Sequence, residues 1–188
     1  MMPIPSSYPD EYIQYLAEYY GSRDYFECHE IMEEYWKEHP ESPLLSCWLV
    51  LIRIPVSLYH ARRGNRSGAL KLMGKASQEA DTELFDRLGI DGGKLKEQLE
   101  GTYRRWSESP VIAYEDFDFP FTDANLLEAA RQRSLTLGYR WGISGMEAGD
   151  QVINRHKLRD RSEVIEAREA SAKRKALSRS TPNTDTRQ

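Results

Sequence analysis

Only two cysteines, Cys28 and Cys47, occur in 188 residues, and no CxxC pair or thiol-rich cluster accompanies them. That excludes a disulfide framework and a cysteine-built zinc site. Both thiols fall inside helical patterns, where they read as the buried, reduced thiols of a cytosolic protein. Long apolar runs are missing too. The nearest, Leu44 to Tyr59, is interrupted by Arg53 and Pro55 and falls short of the roughly 18 apolar residues of a spanning helix. The first residues, MMPIPSSYPDEY, have neither a basic n-region nor an apolar h-region, so no secretory signal is expected. Glycine-rich nucleotide loops, nucleophile elbows and deaminase signatures are absent. Alternating strand patterns are scarce, and the one tempting run, Val111 to Tyr114, is short.

What is present is helical period. Tyr12, Ile13, Leu16, Tyr19 and Tyr20 share one helical stripe, closed by Gly21. Asp24, with Glu27 three residues on, reads as an N-cap opening a helix to about Glu38. After the connection His39 to Pro43 comes a helix that is apolar nearly all round as far as His60, the mark of a central buried element. A fourth helix spans Ala69 to Leu88, a fifth carries Leu95, Leu99 and Trp106, and a further one follows Thr122 and Asp123. Between them, Tyr114 to Phe121 mixes acids with aromatics and reads as an extended loop anchored by its rings. The spacing predicts an all-α compact bundle of five to six helices over residues 8–149. A charged basic extension, helical or disordered, follows over 150–188.

Charge is divided unevenly. Residues 155–188 hold ten Lys/Arg and five Asp/Glu, while the rest of the chain holds 16 basic and 25 acidic residues. An acidic body disfavours nucleic acid, whose phosphates need counter-charge, whereas the basic tail suits nucleic acid or an acidic protein.

Polar residues interrupt the apolar faces at two places. In FECHEIMEEYW, Phe26, His29, Glu33 and Trp36 fall on one side of a helix. In the central helix Ser46, Val50, Arg53, Ser57 and His60 make a mostly polar stripe. Unpaired charge in hydrocarbon costs several kcal/mol, so the stripe is expected to turn toward its neighbour. The result would be one internal cluster of His29, Glu33, Arg53, Ser57 and His60, with Trp36 beside it. Three readings of that cluster stay open. It is a closed structural network, or a divalent transition-metal site such as zinc on His29, Glu33 and His60, or a small-ligand or catalytic pocket. Arg53 opposes the metal, because it would repel a cation while pairing with Glu33. The HExxE string lacks the second histidine of a zinc protease. Arg62, Arg63 and Asn65, at a helix end and the start of the next, form a basic cluster able to hold an anion, or else a plain cap. His39 and His156 stand in polar context and read as solvated.

The segment Phe26–Trp36 resembles the HxxxExx(W/Y) motif of the DUF309 family, with His29, Glu33 and Trp36 at its defining positions. A second stretch, LIRIPVSLYHARRGN, is similar to the helix of that family that ends in Tyr-His, a basic residue and Gly-Asn. The resemblance implies an all-helical fold and metal binding by the histidine and glutamate. Two function classes follow. The preferred one is a non-catalytic, cytoplasmic binding or scaffold module, and the other is a metal- or ligand-binding protein, an enzyme among the options.

Overall fold

Carboxylates and amides at the helix starts set the element boundaries. A computed structural model describes residues 7–154 and Lys173. Its α-helices are α1 (Asp10–Tyr20), α2 (Tyr25–Glu38), α3 (Leu45–Arg62), α4 (Arg66–Glu79), α5 (Thr82–Asp86), α6 (Gly92–Glu108), α7 (Ala124–Thr136) and α8 (Asp150–Ile153). Asp24, Asn65, Asp81, Asp91 and Asp123 each accept a bond from a first-turn amide of the helix they precede. Such caps satisfy donors that the helix itself cannot, and each contributes about 1 kcal/mol. Beta structure among the described residues is limited to one isolated bridge, Ile90 to Phe121. The chain is all-α.

The count differs from five to six because two short helices, α5 and α8, are added to the six long ones. The helix expected to run from Ala69 to Leu88 breaks after Glu79. Ala80 turns extended (ψ 114°), and Asp81 caps a new start by accepting from Leu84 N at 3.0 Å. The Asp24 cap is completed differently from the expected box: Ser22 Oγ, rather than Glu27, takes the bond from Asp24 N at 3.1 Å.

The core is laid down along the chain. Helix α3 lies against α2 and α4, α4 against α6, and α1 against both α2 and α7. Not only α3 but also α1 is enclosed, with Tyr12, Tyr15, Leu16 and Tyr19 fully buried. The extended segment 109–123 crosses α1 and sinks Ile112, Phe117 and Phe119 into the core. Among the described residues, no helix is long and apolar enough to cross a membrane. The chain separates into two units, Met1–Ile153 and Asn154–Gln188. Apart from Lys173, the tail beyond Asn154 lies outside the described residues, and so does His156.

Gly21 closes α1 where α7 comes closest. A Cβ there would overlap Ser134 Oγ and stand 2.6 Å from Ala17 O and 2.9 Å from Tyr139 Cβ. Its backbone is ordinary (φ −88°), so the demand is for space rather than for a left-handed conformation. Gly21→Ala is expected to lose about 1–3 kcal/mol, the usual range for overpacking, in urea unfolding. An unchanged midpoint would show that α7 can retreat without loss.

Candidate functional site

Helix α2 buries Tyr25, Cys28 and Met32 against the core. His29 and Glu33 each come one residue after a core position, which rotates them about 100° from the core direction. They therefore sit at the rim of the buried face, 26% and 32% exposed, rather than inside the bundle as expected. His29 Nε2 lies 3.2 Å from Glu33 Oε2, and its Nδ1 lies 3.6 Å from Glu30 Oε1. The other Glu33 oxygen is taken by Lys37 Nζ at 3.2 Å. Each oxygen of the Glu33 carboxylate is thus matched to a nitrogen on its own helix. Trp36 is partly buried against the core, and its Nε1 has no acceptor.

The other residues expected in the cluster are satisfied elsewhere. Arg53 does not meet Glu33; its Nε and Nη2 donate to Glu79 Oε2 and Oε1 of α4 at 2.6 and 3.1 Å. Ser57 Oγ donates to the Ala69 carbonyl, also on α4, at 2.7 Å. His60 Nδ1 stands 3.1 Å from Asn65 Nδ2 and its ring is edge-on to Tyr59. The stripe on α3 does find a polar neighbour, but that neighbour is α4, because α3 lies between two helices and presents Arg53 and Ser57 to the later one. Among the described residues the potential metal ligands within 4.8 Å of one another are His29, Glu30 and Glu33, without His60. One imidazole and two carboxylates is a donor set a first-row divalent ion accepts, although Lys37 competes for Glu33.

The thiols offer no nucleophile. Burial pushes Cys28 well up, and Cys47 up to about 12. Such groups stay protonated and inert at neutral pH.

Arg62, Arg63 and Asn65 do not act together. Asn65 caps α4 through Gly68 N at 3.1 Å. Arg63 lies over the Tyr59 ring, 5.1 Å from its centroid. Arg62 turns the other way, into the protein, and is 7% exposed. Its guanidinium stacks on Tyr25 at 4.5 Å, and its Nη1 donates to the carbonyls of Arg23 (2.9 Å) and Gly145 (3.2 Å). Arg23, 2% exposed and in the left-handed region (φ 54°), lies over Tyr19 and Tyr20 and donates from Nε to Ile143 O at 2.7 Å. Tyr25 and Tyr114 share a hydroxyl contact of 2.5 Å beside them, and Tyr114 donates to Asp116. Sequence reasoning did not identify this cage. The signal available was YYGSRDY, an arginine set among tyrosines at the corner between two helices.

A double-mutant cycle tests the reassignment of Arg53. Both partners are partly exposed, so Arg53 and Glu79 are expected to couple by about 1 kcal/mol in unfolding, and Arg53 and Glu33 by nothing measurable. Glu33→Ala should then cost about 0–1 kcal/mol, rather than the roughly 3 kcal/mol of a stranded buried arginine.

The likeness read from the two motifs extends through the chain. Residues 12–72, which include His29, Glu33, Trp36, Arg53 and His60, match the family described as "Domain of unknown function (DUF309)". The uncharacterized protein YpuF of Bacillus subtilis (strain 168) is 40% identical over 174 residues, covering 92% of this chain and 99% of the relative. No solved structure matches it. With the motif helix, the following buried helix and nearly the whole length shared, the chain belongs to the DUF309 family.

Proposed function

We propose that the chain is a non-catalytic, cytoplasmic binding or scaffold module, and that α2 is the helix it presents. What supports this is the state of Glu33. A general base needs a free oxygen within reach of a substrate proton. Glu33 has one oxygen against His29 and the other against Lys37, on a helix face that is already partly in solvent. Arg53 and Ser57, also expected in a reactive centre, are engaged in joining α3 to α4, and His60 stands against Asn65. That arrangement suits a presented surface better than a reactive centre. The unit over residues 8–149 would supply the surface, and the basic stretch 150–188 would meet an acidic protein or nucleic acid.

A second reading, a divalent-metal site, is favoured by the convergence of His29, Glu30 and Glu33 within 4.8 Å. In that case His29 and Glu33 hold the ion, and Glu30 takes the place first assigned to His60. The ion would supply Lewis acidity.

Elemental analysis of the purified chain, with thermal melts in EDTA and in equimolar zinc, decides between the two. The scaffold reading expects no stoichiometric metal and no change in melting temperature with either addition. A metal held at one per chain, lost in His29→Ala, and a zinc-induced rise in melting temperature that the variant lacks would carry the metal reading instead. Nucleic-acid affinity, if the tail supplies it, is expected to fall steeply with salt and to vanish in a chain ending at Ile153.

A further inference from the structure

Arg23 and Arg62 hold positive charges at 2% and 7% exposure, and among the described residues neither has a carboxylate within ion-pair distance. Three of their nitrogens, Arg23 Nη1 and Arg62 Nε and Nη2, are buried with no hydrogen-bond acceptor. A buried cation without an ion-paired carboxylate costs several kcal/mol, offset in part by stacking on tyrosine faces and by the longer-range pull of Asp116 on Arg23 and of Asp24 on Arg62. Desolvation pulls the Arg62 guanidinium below its ordinary value, whereas Arg23, despite desolvation, is held above its own by the tyrosines and Asp116 around it. A native structure that leaves such donors unmet calls for a reason.

The nitrogens left over are informative. Nε and the Nη2 on the same side form the edge by which a guanidinium grips two oxygens at once. Elsewhere in this chain Arg53 uses that edge, Nε and Nη2, to hold both oxygens of Glu79. Arg62 directs Nη1 at two carbonyls and keeps its Nε–Nη2 edge unused. The nearby carboxylates point their bonded oxygens elsewhere: Asp116 Oδ1 accepts from Tyr114 and from Gly145 N, and Asp24 Oδ1 accepts from Glu27 N.

Both arginines are fastened to one segment after α7. Arg23 holds Ile143 O, Arg62 holds Gly145 O, and Tyr20 O accepts from Gly142 N. Gly138 and Gly142 have φ of 86° and 79°, in the left-handed region that other residues rarely adopt. Gly145 is pressed against Tyr114 so closely that a side chain there would collide with the phenol. The segment is glycine-jointed and fastened mainly through its backbone.

We propose that the Nε–Nη2 edge of Arg62, with the Arg23 guanidinium that is fastened to the same 143–145 segment, is the binding site for the phosphoryl group of a small ligand. One carboxylate presents two oxygens and a single charge, and one edge engages both oxygens, as Arg53 does those of Glu79. Three unmet donors on two cations ask for a further oxygen and a second negative charge, and a phosphate dianion provides both. This site is independent of the His29 face and stands whether or not that face binds a partner or a metal.

The probe is inorganic phosphate, added to the full-length chain against sodium chloride and sodium acetate at matched ionic strength. Phosphate is expected to raise the melting temperature by a few degrees in a saturable way, with chloride and acetate giving no such rise. Arg62→Lys, which keeps the charge but loses the two-point edge, should abolish the effect. In 15N-labelled wild type, the Nε–H resonance of a buried arginine should shift saturably with phosphate. This second measurement needs no variant to fold. No saturable shift, equal stabilisation by acetate, or a phosphate effect retained in Arg62→Lys would each overturn the assignment.

Discussion

A hydroxyl buried in a protein core is stabilised by a partner, and in this fold three of the four tyrosines of α1, Tyr12, Tyr19 and Tyr20, find theirs on irregular backbone, while the Tyr15 hydroxyl is buried with none among the described residues. Tyr12 donates to the Leu88 carbonyl at 2.9 Å, and Tyr19 to the Phe117 carbonyl at 2.5 Å. Tyr20 accepts from Phe119 N at 2.7 Å, while its own carbonyl accepts from Gly142 N at 2.9 Å. Three segments without regular structure of their own, after α5, before α7 and after α7, are thereby fastened to one helix of 11 residues. Backbone groups in a buried loop have no ladder to join, so these hydroxyls satisfy both parties together. The rings reinforce the arrangement. Tyr19 stands 4.8 Å from Phe119 and 5.0 Å from Tyr20, and Tyr20 stacks on Trp141 at 4.6 Å. Remove α1 and the extended crossing 109–123 loses the bonds that hold Phe117 and Phe119, leaving it attached through Tyr25 of α2 and through Gln98 and Arg105 of α6.

That dependence explains which parts of the structure were legible in the sequence. Helix starts were readable because caps are local: Asp24 and Asp123 each bond an amide two or three residues away. The break at Ala80 was not readable from periodicity alone. Leu84, Phe85 and Leu88 keep an apolar rhythm across it, and the Asp81 cap competes with that rhythm only when the chain turns. The tyrosines of α1 were recognised as core, yet which distant carbonyl each hydroxyl reaches depends on sequence separations of 76 and 98 residues. Local pattern carries no such information.

The same reasoning applies to the polar residues. Periodicity placed Arg53 and Ser57 on a face that had to be met by polar groups, and that inference holds. It could not choose between two flanking helices, one offering Glu33 and the other Glu79. The short connection His39 to Pro43 favoured the earlier helix, but the geometry favours the later, with Arg53 in bidentate contact with Glu79 and Ser57 bonded to the α4 backbone. Released from Arg53, His29 and Glu33 close on each other and on Lys37 at the edge of α2. The motif was correctly located, while its partners were misassigned because one carboxylate looks like another in a linear sequence.

Adjacent arginines at the end of α3 show how one residue step separates two fates. Arg62 and Arg63 differ by about 100° around the helix axis, enough to send one guanidinium into the tyrosine cage and leave the other over Tyr59 at the margin. A basic pair at a helix C-terminus reads first as a complement to the helix dipole, and that account suffices for Arg63. It does not suffice for Arg62, whose charge is withdrawn from solvent and stacked on Tyr25. Tyr25 opens α2, and His29 follows one turn later on the same side of that helix. The family motif and the buried arginine are therefore joined by a single rigid element. Whatever satisfies Arg62 does so against the ring that begins the motif helix, on its buried side, while His29 and Glu33 stand at the rim of the same helix with partners of their own.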